Sequence, residues 1–247
     1  MIHDDGQEFL ARNEAKIADM GNDKALQAAT QAWMEQSIQH EYSYHFTWLG
    51  LPIIQYPQDI IAVQELIWRI QPDIVIETGV ARGGSLILSA SLLKLLGGNR
   101  KVIGIDIDMR PHNALAIKNH PLSDMIELIQ GSSIDSEVLA QVKSIASNYK
   151  KPLVFLDSLH THSHVLKELE LYSPFVKKDS YIVVFDTLIE DMPENSYPDR
   201  PWSKGNNPKT AVREFLQHNN RFCIDNNIDN KLQITVAHNG YLMATKD

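Results

Sequence analysis

The sequence predicts an α/β protein: a doubly wound, mostly parallel sheet that gains an antiparallel strand at its C-terminal end, preceded by a helical extension. Three observations predict it. Short runs that are apolar on both faces, such as Leu153-Val154-Phe155-Leu156, alternate with helical patterns, and such strands belong to a parallel sheet covered on both sides. The alternation continues from residue 58 onwards, with no internal repeat or low-complexity segment. Near the end, Asn239-Gly240 is a hairpin-turn signal leading into Tyr241-Leu242-Met243-Ala244. The chain has 247 residues, 43% of them hydrophobic and 22% charged, which suits a globular protein with a large core and excludes a disordered or fibrous chain.

Taken in order, residues 7–39 read as helix, with a loose apolar stripe through Phe9, Leu10, Ile17, Leu26, Trp33 and Ile38. Gly21-Asn22 breaks it, and Asp23 caps a second helix. An aromatic segment follows at residues 42–50, where Pro52 and Pro57 prevent a continuous helix. These aromatics are expected to pack onto the main domain as a lid or subunit contact rather than to touch a substrate. Residues 1–57 are thus read as an extension, and residues 58–247 as the main domain. Within it the pattern predicts helix 58–70, strand 73–76, helix 84–96 stopped by Gly97-Gly98, strand 101–105, helix 111–119, strand 125–129, helix 134–147, strand 152–156, helix 161–172 and strand 181–185. Residues 187–207 form a long polar loop containing prolines, of the kind that is functional or mobile. Helix 208–218 and β segments 221–224 and 232–237 complete the chain, the latter turning at Asn239-Gly240.

Composition narrows the function classes. A single cysteine, Cys223, excludes an internal disulfide and a multi-thiolate metal site. A net charge of −8 without basic clusters argues against nucleic acid as a partner. No run approaches the ~18 apolar residues of a membrane span. The acidic start Met1-Ile2-His3-Asp4-Asp5-Gly6 lacks the features of a signal peptide, so a cytoplasmic location is expected.

In an open parallel sheet, ligands bind beyond the carboxyl ends of the strands, so the residues that follow each strand carry the functional reading. After the first come Glu77-Thr78-Gly79-Val80-Ala81-Arg82-Gly83-Gly84-Ser85. The glycines permit a tight turn and close approach of a ligand, and the next helix presents its positive N-terminal end. Ala81 stands where a dinucleotide fingerprint needs glycine, and Glu77 would oppose a pyrophosphate. S-adenosylmethionine suits the turn better, offering an ammonium and a sulfonium to acids and a carboxylate to backbone N–H groups. Asp106, ending the second strand about 20 residues past the turn, is the expected ribose acceptor and is preferred to Asp108. Ser132, in Gln130-Gly131-Ser132-Ser133, is a small polar group for the adenine side.

Asp157 and Asp186 end the fourth and fifth strands. If these strands are neighbours, their carboxylates repel, and a divalent cation, Mg²⁺ by its preference for oxygen, would relieve the repulsion. The rival is that Asp157 faces the cofactor and Asp186 caps a turn. His160 is the best-placed general base. His160 and His164, spaced i, i+4, could alternatively share a helix face with Asp157 as a zinc-like hydrolase set, while His162 reads as a surface residue at a helix start.

Glu77 to Ser85, Asp106, Asp157-Ser158-Leu159-His160 and Val183-Val184-Phe185-Asp186-Thr187 together resemble the cephalosporin hydroxylase/rhamnosyl O-methyltransferase family. So do Phe46-Thr47-Trp48-Leu49-Gly50-Leu51-Pro52-Ile53-Ile54-Gln55 and Asn206-Asn207-Pro208-Lys209-Thr210-Ala211-Val212. The likeness covers about residues 40–245. It implies a class I S-adenosylmethionine-dependent methyltransferase fold with seven strands, the last antiparallel, a Mg²⁺ site near the methyl donor and usually a homo-oligomer. Some relatives carry a Glu-Asp pair at the end of the fifth strand, where this chain has Phe185-Asp186. Either Glu190 or Asp191 then supplies a third ligand, or the metal is weakly held or absent.

The leading expectation is therefore a Mg²⁺-assisted O-methyltransferase acting on a sugar hydroxyl, or secondarily on a small natural product. Glu77, Thr78, Gly79, Gly83 and Ser85 would hold the methionyl part, Asp106 the ribose and Ser132 the adenine side. Asp157, Asp186 and Glu190 would hold the metal, and His160 would take the proton. The rivals are a metal-dependent hydrolase built on Asp157, His160 and His164, and a non-catalytic nucleotide-sensing or assembly protein, which gains weight if residues 42–56 fill the mouth of the pocket.

Overall fold

The computed structural model describes residues 5–247; Met1-Ile2-His3-Asp4, at the chain start read above, lie outside the described residues. The chain opens with helices α1 (Asp5–Asn22) and α2 (Lys24–Gln39). Asp23 separates them as expected, its carboxylate accepting from the Ala25 and Leu26 N–H groups that have no partner inside the helix. A 3₁₀ turn at Tyr42–His45 leads into a two-stranded antiparallel hairpin, β1 (Phe46–Trp48) and β2 (Leu51–Ile53).

The main sheet has seven strands: β3 (Ile74–Thr78), β4 (Lys101–Asp106), β5 (Ile126–Gln130), β6 (Pro152–Leu156), β7 (Tyr181–Val184), β8 (Phe222–Ile224) and β9 (Tyr241–Ala244). Their spatial order is β5-β4-β3-β6-β7-β9-β8, with β3 to β7 parallel and β9 antiparallel to both β7 and β8. The predicted fold class is the one observed. Helices α3 (Pro57–Ile70), α4 (Gly84–Leu96), α5 (Pro111–Lys118), α6 (Ser136–Ala146), α7 (His162–Tyr172), α8 (Pro208–His218) and α9 (Asn226–Leu232) complete the fold.

The pleat divides the core in two. Val75, Val102, Leu153, Phe155 and Val183 pack on one face with α3, α4 and the N-terminal residues Met34, Ile53 and Tyr56. Ile74, Ile76, Ile103, Val154, Leu156 and Ile182 pack on the other with α6, α7 and α8. β3 and β6 are buried along their whole lengths, which is why their sequences carry no polar alternation.

One element departs from expectation. Residues 232–237 form no strand, and β8 and β9 are joined through α9 rather than by a tight hairpin. The turn at Asn239-Gly240 is present, with Gly240 N–H bonded to Ala237 O at 2.6 Å. The backbone before it is drawn to a side chain instead of a ladder. The fully buried Asp59 carboxylate on α3 accepts from Val236 N at 2.9 Å, from the Thr235 hydroxyl and from Tyr241 OH at 2.7 Å. Among the described residues, no helix is long and apolar enough to cross a membrane.

Candidate active site

β3 has β4 on one side and β6 on the other, so successive crossovers leave it in opposite directions and open a crevice at its carboxyl end. Gly79, the first residue past β3, has φ +86°, and a Cβ there would lie 1.9 Å from the Asp157 carbonyl oxygen. Only glycine lets the turn pass so close to β6. Gly83 caps α4 at φ +85°, its N–H closing the turn on Val80 O at 2.8 Å.

Asp106 straps this turn from the neighbouring strand. One carboxylate oxygen accepts from Val80 N at 2.8 Å and Ala81 N at 3.1 Å, and the other from Asp108 N at 2.9 Å. It still faces the main cavity, which measures about 880 Å³, near the top of the range for small-molecule sites. Gly79 and Ala81 from the turn, and Gly131, Ser132 and Ser133 beyond β5, also line this cavity. Volume, glycine cradle and ordered acids suit an adenosyl ligand. Asp108, by contrast, lies at the surface beside Arg110.

The other residues expected at the methionyl group are not walls of this cavity. Thr78 is fully buried, and Gly83 turns toward Ile117. Glu77, 2% exposed, takes a hydrogen bond from the Ser85 hydroxyl. Burial pushes its carboxyl up to about 8, against the lowering effect of Ser85. Glu77 and Ser85 instead line a separate cavity of about 20 Å³ behind the turn, with Gln55, Ser89 and Asp157.

Because β6 and β7 are neighbours, Asp157 and Asp186 meet, as their positions predicted. The structure adds His160 to them. One ligand atom from each of the three lies within 4.8 Å of the others, and His160 Nε2 is 3.1 Å from Asp186 Oδ2. Burial, then the charges of Asp186 and Glu77, drive the Asp157 carboxyl well above its usual range. A cation would relieve this crowding, so the donor set fits a divalent metal.

Glu190 is not part of the cluster. Its carboxylate accepts from Gly205 N at 2.8 Å and Asn207 Nδ2 at 2.6 Å, and it pairs with Arg213. Burial works to raise its proton affinity, but these partners outweigh it and hold the carboxyl below the ordinary value. Asp191 is likewise engaged, by Lys209 at 2.6 Å and His238 at 2.9 Å. Neither joins Asp157 and Asp186: Glu190 turns to Gly205, Asn207 and Arg213, and Asp191 to Lys209 and His238. Phe185, one residue before Asp186, packs edge-on against Phe155.

The histidine pair also separates. α7 begins at His162, so His160 and His164 share no helix face. His164 turns to Ser133 Oγ at 3.0 Å and Glu168 at 3.5 Å, and His162 to Thr210 and Glu214. The set Asp157, His160 and His164 is therefore not assembled around one point.

Two groups of site residues escaped the sequence reading. Gln55 is buried and donates to Asp157 Oδ2 at 3.2 Å; it ends the aromatic motif but carried no separate signal. The aromatic segment lines the cavity through Tyr42, Tyr44 and Tyr56 rather than only packing behind it. Opposite stand Tyr197 and Trp202 from the long loop, with Trp202 edge-on to His160 at 4.7 Å and Arg200 over its ring.

A glycine turn strapped by an acid, with an acidic cluster on the next strand ends of a seven-stranded sheet, defines a class I methyltransferase. Comparison with known proteins gives the family. The family model Rhamnosyl O-methyltransferase/CmcI matches residues 40–245. A rhamnosyl O-methyltransferase of Mycobacterium bovis is 30% identical over 199 residues, 80% of this chain and 77% of that protein. One from Mycobacterium leprae is 27% identical, covering 80% and 82%. A solved CmcI-N160 apo-structure aligns with a TM-score of 0.57 at 19% identity, over 83% of this chain and 78% of that one. A cmcI-D160 Mg-SAM structure aligns at 0.55 and 18%, over 81% and 77%, and both likenesses show the shared fold. The chain belongs to the rhamnosyl O-methyltransferase/CmcI family, and is an S-adenosylmethionine-dependent O-methyltransferase.

Proposed function

We propose that the acceptor is a hydroxyl of a sugar-bearing molecule and that a divalent cation assists the transfer. The observation that carries this reading is the Asp157, His160 and Asp186 cluster, which lines the same cavity as Asp106 and Ser132. A cation held there would lower the pKa of an acceptor hydroxyl. Asp157 and Asp186 would hold it, and Gln55 would orient Asp157. In the transfer the acceptor oxygen forms a bond to the methyl carbon, the bond from that carbon to sulfur breaks, and the hydroxyl proton passes to a base. His160 stands where it can serve as that base or as a further ligand of the cation. Asp106 would hold the ribose and Ser132 the adenine side.

A sugar acceptor is supported by the relatives, which are named as rhamnosyl O-methyltransferases, and by the cavity wall. Tyr44, Tyr197 and Trp202 offer ring faces with polar edges, surfaces suited to the mixed apolar and hydroxylated faces of a sugar. The open volume also weighs against an assembly protein whose aromatic segment blocks its own pocket. Self-association belongs to the same reading, since Phe9 and Leu10 on α1 and Ile61 and Trp68 on α3 are exposed.

Calorimetry with S-adenosylhomocysteine tests the cofactor half. Binding should weaken at least tenfold in Asp106→Ala. Transfer of labelled methyl to rhamnosides, compared with the matching aglycones, tests the acceptor. Label appearing equally on both would refute the sugar assignment.

A further inference from the structure

We infer that the cation of this site is held by a mixed donor set, the carboxylates of Asp157 and Asp186 with the imidazole of His160, and that the site therefore prefers Mn²⁺ to Mg²⁺. The inference rests on the proposal that a cation is bound here, and concerns which atoms hold it.

The argument begins with the carboxylates. Among the described residues, the ligand atoms that come together at this cavity within 4.8 Å of one another are those of Asp157, His160 and Asp186, and no third acid stands with the two aspartates. Glu190 is held by Gly205, Asn207 and Arg213, and Asp191 by Lys209 and His238. Glu77 bonds Ser85 and lines the small cavity behind the turn. Asp59 is fully buried and saturated by Thr235, Val236 and Tyr241. Position 185, directly before Asp186, is an apolar Phe185 fixed against Phe155.

What remains is His160. Its ligand atom lies with those of Asp157 and Asp186 inside one 4.8 Å sphere of mutual distances. The ring is largely covered, with the edge-on Trp202 at 4.7 Å limiting its rotation. It belongs to the loop before α7, so its direction is set by these contacts and not by a helix face. Mg²⁺ favours a shell of oxygen atoms, whereas imidazole nitrogen suits first-row transition metals, and Mn²⁺ accepts carboxylate oxygen as well. Replacing an acid by an imidazole therefore shifts preference away from Mg²⁺.

The test uses the full chain, with Mn²⁺ and Mg²⁺ as probes. Calorimetry should show Mn²⁺ binding at least tenfold tighter than Mg²⁺. Electron spin-echo spectroscopy of bound Mn²⁺ should show the nitrogen coupling of a directly coordinated imidazole. His160→Ala should abolish that coupling and weaken Mn²⁺ at least tenfold, while His160→Asp should bind Mn²⁺ without nitrogen coupling and narrow the gap to Mg²⁺. Retained binding of S-adenosylhomocysteine checks that both variants fold. Binding of Mn²⁺ that depends on Asp157 and Asp186, yet shows no nitrogen coupling and is unchanged in His160→Ala, overturns the ligand assignment and leaves the cation reading standing. If neither ion binds, both readings are overturned.

Discussion

Glu77 stands next to last in β3, before the glycine turn, and lies in the small cavity behind that turn, apart from the main cavity. Its carboxyl is buried, has one hydroxyl partner in Ser85, and its second oxygen meets no hydrogen-bonding partner in the protein. Desolvation outweighs that single bond, so the folded protein holds the proton up to about pH 8, against a usual value of 4.5. Folding then takes up a proton between these limits, and stability falls as pH rises through the window, by at most about 1.4 kcal/mol per unit. Glu77→Gln should remove this slope in thermal unfolding measured from pH 5 to 9; parallel curves for both proteins would mean that Glu77 is charged in the fold. Gly79 is constrained more tightly. Alanine there would need a left-handed backbone and a Cβ 1.9 Å from the Asp157 carbonyl. Gly79→Ala should cost on the order of 3 kcal/mol or more, read by urea unfolding.

At the scale of elements, the 3₁₀ turn Thr187–Asp191 carries Asp186 into the site and is fastened from two sides. Asp186 itself has φ +56°, in the left-handed region that aspartate tolerates better than most side chains. The Thr187 hydroxyl donates to His238 O at 2.8 Å, and Leu188 N to Val236 O at 3.1 Å. From α8, the nearly buried Lys209 pairs with Asp191, and the Asn207 capping box anchors Glu190. Lys209→Met should leave Asp191 without its closest cation, destabilising the protein by about 3 kcal/mol in urea unfolding and weakening Mn²⁺ binding through Asp186. None of this was readable from residue order. The strands and most helices were legible because their apolar runs and caps are local. Asp191 and Lys209 meet only after folding, as do Asp59 and the 232–237 segment that it draws out of strand pairing. Glu190 looked available as a ligand because its partners, Gly205, Asn207 and Arg213, reach it only once the long loop folds back on itself and onto α8, which no local pattern announces.

Across the whole molecule, the cavity has two unlike halves, and their origins explain which was foreseen. The half lined by Gly79, Asp106 and Ser132 is built on strand ends, where topology assigns ligand sites whatever the protein's specificity. The half lined by Tyr44, Tyr56, Tyr197 and Trp202 comes from the N-terminal segment and the long loop, which follow no parallel strand and whose course no local pattern fixes. The two halves should therefore respond to different ligands. With S-adenosylhomocysteine alone, amide hydrogen exchange should slow at residues 79–83, 106–108 and 131–133, and change little at 42–56 and 196–202. Adding a glycoside acceptor should slow the second set, because closing contacts there would form on the acceptor and not on the cofactor. Slowing of residues 42–56 and 196–202 to their full extent by S-adenosylhomocysteine alone would mean that the aromatic wall serves the cofactor. The acceptor would then have to be sought outside this cavity.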